Sequence, residues 1–306
     1  EAIGSLTGAD AADWVAAELV KPYALTFDAL DAEPKFPNGK PADFRIDELY
    51  WDQIVGSDDQ LRQRMVLALS QILVYSDEVN SDQRQRAVYQ DILVRNAFGN
   101  YRTLLVEITY SPAMGEWLTY LHNRKSEPNR ANMPDENFAR EILQLFSIGL
   151  VELNLDGSPK LDAQGQPIET YSDDDLQGLA RVFTGLSWAG GRFGGVPPVD
   201  WGITPMQMYD EYHSDQEKTF LGTTIPAGTQ GEESIEIALD AIFDHPNVAP
   251  FVSRQLIQRF TQSDPSPEYV ERVATAFNSG LYTAQGGQQF GTEQRGDLSA
   301  PNAAVL

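Results

Sequence analysis

Four polar side chains in the stretch Asp135–Leu150 (DENFAREILQLFSIGL) are spaced so that they could act together. Asn137, Arg140, Glu141 and Gln144 recur at intervals of three and four, which places them on one edge of a helix, with Ser147 continuing the row. A glutamate set beside apolar side chains holds its proton more tightly and can serve as a general acid, while a guanidinium next to it can position an anion or a sugar hydroxyl. On this reading Glu141 is the acid or base and Arg140 the positioning group. Asn137, Gln144 and Arg181 then supply binding contacts, and Arg62 and Arg64 join the edge if their helices pack beside it. The competing reading is an ion-pair network that fixes helix register.

A second group surrounds His213 in the segment EYHSDQEKTFLG, where Glu211, Asp215 and Glu217, with Asp210 just before it, supply carboxylates. Imidazole plus carboxylate is a first coordination shell for a divalent cation such as calcium or zinc, with His213 and Asp215 as the ligands; otherwise His213 is a packed, hydrogen-bonded side chain. The chain has three histidines and none is paired at i, i+4, so the HExxH pattern is absent. NLDGSPKLD at 154–162 offers oxygen ligands but lacks EF-hand spacing, and its Asp-Gly reads as a turn. Trp188, Trp201, Phe193 and Tyr209 form either a platform for stacking sugar rings or a small core of their own. A G-x-S-x-G elbow, a Walker loop and a G-x-G-x-x-G after a strand are all missing, and GGRFGG at 190–195 has no strand-to-helix frame.

Composition narrows the classes. A net charge of -23 argues against nucleic-acid binding and against adhesion to anionic lipid, both of which need a basic footprint. The chain has no cysteine, which removes thiol catalysis, cysteine-ligated zinc, iron–sulfur clusters and disulfides. No apolar run approaches the length of about 18 residues that a spanning helix requires. The chain starts at Glu1 and ends in the helix-like run NAAVL, so a preceding signal segment and a continuation past Leu306 are both expected.

The elements that must position these groups are mostly helical. In Asp135–Leu150 the side chains of Phe138, Ala139, Ile142, Leu143, Leu145, Phe146 and Leu150 fill one apolar arc. Asn132 suits the N-cap, Pro134 the first turn, and Gly149 the end. Apolar periodicity predicts further helices over Thr7–Val20, Asp43–Val55, Asp58–Tyr75, Ser81–Phe98, Tyr101–Thr109 and Pro112–Leu121. Others follow at Tyr171–Leu186, with Ser172 as N-cap, and at Glu232–Phe243, Pro246–Thr261 and Pro267–Phe277. Between Pro22 and Pro41 a loop is expected, and Val151–Thr170 reads as a small β-hairpin or paired loop. The stretch 187–231 reads as a long irregular loop rich in Gly, Pro and aromatic residues.

Six segments in order carry a resemblance: DDQLRQRMVLALSQILVYS, SPAMGEWLTYL, DENFAREILQLFSIGL, YSDDDLQGLARVFTGLSW, YHSDQEKTFLG and DAIFDHPNVAPFVSRQLIQRF. Together they resemble the bacterial DUF1800 proteins over roughly residues 50 to 280. One departure is Asp135, where the family usually has Asn before Glu-Asn. The resemblance implies an exported bacterial protein (periplasmic or extracellular) of unassigned activity, a possible partner of the DUF1501 family, and a family region continuing past Leu306. The fold expected is mainly α, a single helical bundle-like domain across 1–306, with the aromatic loop draped over it. The function expected is binding at or outside the cell envelope, with polysaccharide as a possible ligand. The alternatives are a carboxylate-dependent glycan hydrolase or lyase and a divalent-metal-binding protein.

Overall fold

Caps chosen by side chains decide where several helices begin. A computed structural model of the chain describes residues 8–34, 45–76, 82–127 and 132–306. The first half runs through α1 (Gly8–Leu19), α2 (Thr26–Ala32), α3 (Arg45–Gly56), α4 (Gln60–Ser70), α5 (Gln83–Asn96), α6 (Tyr101–Thr109), α7 (Pro112–Trp117) and α8 (Asn137–Gln144). Then come α9 (Asp173–Val182), β1 (Leu186–Ser187), β2 (Gln207–Met208), β3 (Lys218–Phe220), β4 (Thr223–Ile225), α10 (Gly231–Asp244), α11 (Val248–Phe260) and α12 (Pro267–Ser279). The last elements are β5 (Leu281–Thr283), β6 (Gln289–Gly291) and α13 (Ser299–Val305). The side chains of Asp82, Asn100 and Ser266 accept from the first-turn amides of α5, α6 and α12, and Ser172 and Asp175 form a reciprocal capping box on α9.

Two expectations change. The stretch after Pro22 contains α2, because Asp91 accepts from the amides of Thr26 at 2.6 Å and Phe27 at 3.1 Å. This cap arrives from a distant helix, so no local pattern announces it. Residues 22–25 and 33–34 lie outside that helix, as expected for a loop; residues 35–41 of the expected loop, and the predicted helix starts at Thr7, Asp43 and Ser81, lie outside the described residues. The central helix is also shorter than its sequence pattern. Asn132 donates to Lys125 O at 2.9 Å instead of capping, and Asp135 takes the role by accepting from Asn137 N at 2.8 Å. Past Gln144 the backbone widens: Ile148 N and Gly149 N both reach Leu143 O at 2.9 Å, and Gly149 turns to a φ of 71°. Helical phase therefore ends early. Leu145 and Leu150 are exposed, and Ser147 is buried with its hydroxyl on Ile142 O.

Residues 151–170 are paired loops bridged at three isolated points, without a continuous ladder. The two-stranded antiparallel ladders among the described residues are β1–β2, β3–β4 and β5–β6. Four of those six strands fall within or at the edge of 187–231, so the aromatic stretch carries regular pairing at both ends. β3 lies directly against α9. A Cβ at Gly178 would come within 1.8 Å of Thr219 O, so only glycine permits this approach.

α8 sits in the main core. Phe138 stacks on Tyr120 at 4.0 Å between ring centroids and meets Phe183 edge-on at 4.7 Å. Ile142, Leu143 and Ile148 are fully buried, and Tyr101 donates to Phe146 O at 2.5 Å. Where the chain leaves this core, Asn247 at the start of α11 holds it. Its amide donates to Ile148 O (2.8 Å) and Val151 O (2.7 Å) and accepts from Leu153 N (2.8 Å). Asn247→Leu keeps the branched shape and leaves three backbone groups without this partner, one of them buried and two part-buried. Urea unfolding should show a loss of about 2–4 kcal/mol, with circular dichroism of the folded state unchanged.

Candidate functional site

The turn after α7 is built around Tyr120, whose hydroxyl donates to Thr109 O at 2.8 Å while its ring packs on Phe138. With Tyr120 pointing inward, Thr119 and His122 on either side take positive φ values of 61° and 67°. Such a backbone costs about 1–3 kcal/mol per non-glycine residue and needs support from its surroundings. The support is visible: His122 N donates to Leu186 O at 2.9 Å, Gly185 N to Asn123 O at 2.8 Å, and Lys125 N to Tyr212 O at 2.9 Å. From the other side, Asp135 N donates to Asn123 Oδ1 at 2.9 Å and Thr119 Oγ1 to Asp135 Oδ2 at 3.0 Å. Asn137 therefore reaches the turn through Thr119, and the N-terminus of α8, the turn 119–125 and the aromatic segment share one region.

Aromatic rings continue outward from that turn. Trp201 packs on Trp188 at 5.5 Å, Trp188 on His122 at 4.5 Å, His122 on Phe193 at 5.8 Å, and Phe193 stacks on Tyr212 at 4.0 Å. All of these rings are half-buried. Arg124 lies over Phe193 and Tyr212, and the Tyr209 hydroxyl donates to Trp188 O at 2.7 Å, which holds the segment in shape. Two polar atoms in the row are enclosed without a partner among the described residues: Trp188 Nε1 and His122 Nε2. Burial, helped by the charge of Arg124, holds His122 below the usual imidazole range, so its ring is neutral at neutral pH. Nothing in the residue types around His122 marks it out in the sequence. Its packing against Trp188 comes from a strained turn that spacing does not show.

Midway along α8, Arg140 pairs back with Glu136 at 3.2 Å and not with Glu141. Glu141 Oε2 is enclosed with no hydrogen-bond partner among the described residues, and burial raises its pKa against the opposing charge of Arg140. Gln144 Oε1 accepts from Tyr171 at 3.3 Å. The other arginines lie apart from this edge. Arg62 donates to Val94 O at 2.8 Å between the rings of Tyr23 and Phe98, and Arg64 reaches Gln60 at 3.2 Å. Arg181 is half-buried near Lys218, whose ammonium is buried without a partner among the described residues. Arg140, Glu141 and His213 line none of five concavities found among the described residues.

His213 is buried between α9 and α10. Its Nδ1 is 2.8 Å from Thr184 O, so Nδ1 carries the proton and donates, and the Ser234 hydroxyl donates to Nε2 at 3.3 Å. Thr184 Oγ1 in turn accepts from Ser214 N at 2.8 Å. Both ring nitrogens are thus engaged, whereas Asp215 is exposed and faces Lys125 at 3.4 Å. Among the described residues, no three His, Asp or Glu side chains gather as a cation-ligand set. No described helix is long and apolar enough to cross a membrane.

Burial lowers the His213 pKa to about 4. The folded ring thus binds its proton more weakly than the unfolded one, near 6.5, and its contribution is complete above the unfolded value. As pH falls from about 6.5 toward about 4, up to about 3 kcal/mol of stability is lost, since the unfolded chain takes up the proton first. Urea unfolding of wild type and His213→Asn across this range should show a steeper acid-side loss for wild type.

The model of one protein family, described as "Protein of unknown function (DUF1800)", matches residues 2–285 of the chain. No curated protein and no solved structure matches it.

Proposed function

Because the chain belongs to the DUF1800 family, we propose its role from its chemistry: it binds a neutral polysaccharide through the row Trp201, Trp188, His122 and Phe193. The observation that carries this reading is the pairing of half-buried rings with two polar atoms that have no partner among the described residues, Trp188 Nε1 and His122 Nε2. Sugar C–H faces stack on rings, and hydroxyls both donate and accept, which suits an indole N–H beside a neutral imidazole nitrogen. The net charge of -23 favours a neutral glycan over a polyanion. In this proposal the protein acts at the cell envelope or outside it, and a DUF1501 protein is the partner with which it would work.

Isothermal titration with neutral β- and α-linked glucans and chitooligosaccharides should detect binding to the wild type. Trp188→Ala should weaken it at least tenfold, and replacement of the remote, exposed Trp14 should leave it unchanged. Absence of binding, or equal affinity in Trp188→Ala, would remove the reading.

A second reading, a glycan hydrolase or lyase, draws support from Glu141, whose unpartnered oxygen and raised pKa suit a general acid beside Arg140. Release of new sugar ends from the same glycans is then expected, falling about 10²–10⁴-fold in Glu141→Gln at unchanged melting temperature. Equal turnover by that variant would dismiss Glu141 as the acid.

A further inference from the structure

A different cleft, of about 320 Å³, opens between α3, the end of α4 and α5. Four aromatic side chains line it. Tyr50 and Trp51 meet edge-on at 5.2 Å on one wall, and Tyr75 and Tyr89 pack at 5.1 Å on the other. Trp51 is 55% exposed, unusual for so large an apolar ring, while Tyr89 is buried and fixed by donating to Leu73 O at 2.5 Å. The rigid wall therefore faces a bare one. The rim carries the ion pair of Arg86 with Asp47 at 2.8 Å, whose aspartate is well exposed.

Gln90 belongs to the same lining. It is 7% exposed, and its side-chain amide makes no hydrogen bond among the described residues, with Nε2 enclosed. A buried amide left unmet is costly, and an oxygen brought in by a ligand would satisfy it. Bare aromatic faces, an unmet amide and a balanced ion pair at the rim describe a host for a compact, uncharged molecule with apolar faces and hydroxyls at its edges.

We propose that this cleft between α3, α4 and α5 binds one neutral pyranose unit, with Trp51 stacking on the ring and Gln90 taking up a sugar oxygen. The site stands on its own residues and not on Trp188 or Glu141. It is nonetheless a neighbour of the other aromatic row: Arg84 and Gln85, on the first turn of α5, touch the segment of Val199, Asp200 and Gly202 that holds Trp201.

The test uses the whole chain and cellohexaose, maltohexaose and chitohexaose as probes, read by saturation-transfer NMR and calorimetry, with adenosine as a planar non-sugar competitor. At least one hexasaccharide should bind Trp188→Ala, in which the first row is disabled. Adding Trp51→Ala should then weaken binding at least tenfold, Trp51→Tyr should restore part of it, and Gln90→Leu should weaken it several-fold. Melting curves confirm that each variant is folded, and the exposed position of Trp51 makes it the variant least able to disturb the core. Loss of all binding in Trp188→Ala, unchanged affinity in the Trp51 variants, or binding of adenosine in place of every hexasaccharide would overturn the proposal. Failure of the Trp188 variant to alter a Trp51-dependent affinity would count against the first row alone.

Discussion

The contact of Phe138 with Tyr120 and Phe183 is the constraint on which the rest of the molecule depends. It joins three segments far apart in sequence: the turn after α7, the short helix α8 and the end of α9. Each ring removes a large apolar surface from water, and offset stacking adds a directional preference. Around the inward Tyr120, Thr119 and His122 take left-handed backbone, and that turn seats His122 against Trp188. The aromatic row at the surface is thus a consequence of a ring buried in the centre.

Much of this was legible in the chain. The apolar periodicity of α8 through Phe138, Ile142 and Leu143 located a core helix, and Ser172 with three following aspartates announced the start of α9. The polar edge of Asn137, Arg140, Glu141 and Gln144 also exists, half-buried as helical spacing requires. What spacing does not contain is which partner each side chain takes. Arg140 turns to Glu136, leaving Glu141 Oε2 without a partner among the described residues, and Arg62 goes into a cage of rings. The cap that creates α2 comes from Asp91, and the cleft around Trp51 needs α3 and α5 to pack side by side. Such features depend on tertiary placement, and one-dimensional periodicity carries no record of it.

Electrostatics divides the surface from the interior. The excess of carboxylates lies mainly in water, where pairs such as Arg102 with Glu236 and Asp240 contribute little individually. Inside, cations find other company. Arg295 donates to the carbonyls of Phe243 and His245 and lies over the rings of Phe243 and Phe277. Lys218 is fully buried with no partner for its ammonium among the described residues, and burial lowers its pKa accordingly. His213, a short way along the chain, is held neutral by burial, which outweighs its hydrogen bond to Thr184 O. Interior charge is therefore kept low by weakening protonation as well as by pairing.

The Asn247 clamp has a consequence for how the chain reaches this state. Its hydrogen bonds connect positions 94, 96 and 99 residues apart. During synthesis the loops at 151–170 leave the ribosome long before α11 exists to fasten them, and closing so long a loop is slow compared with forming a local helix. The exit from the core is therefore among the last parts to lock. Until it does, the nascent amino-terminal half must carry its apolar surface without that latch.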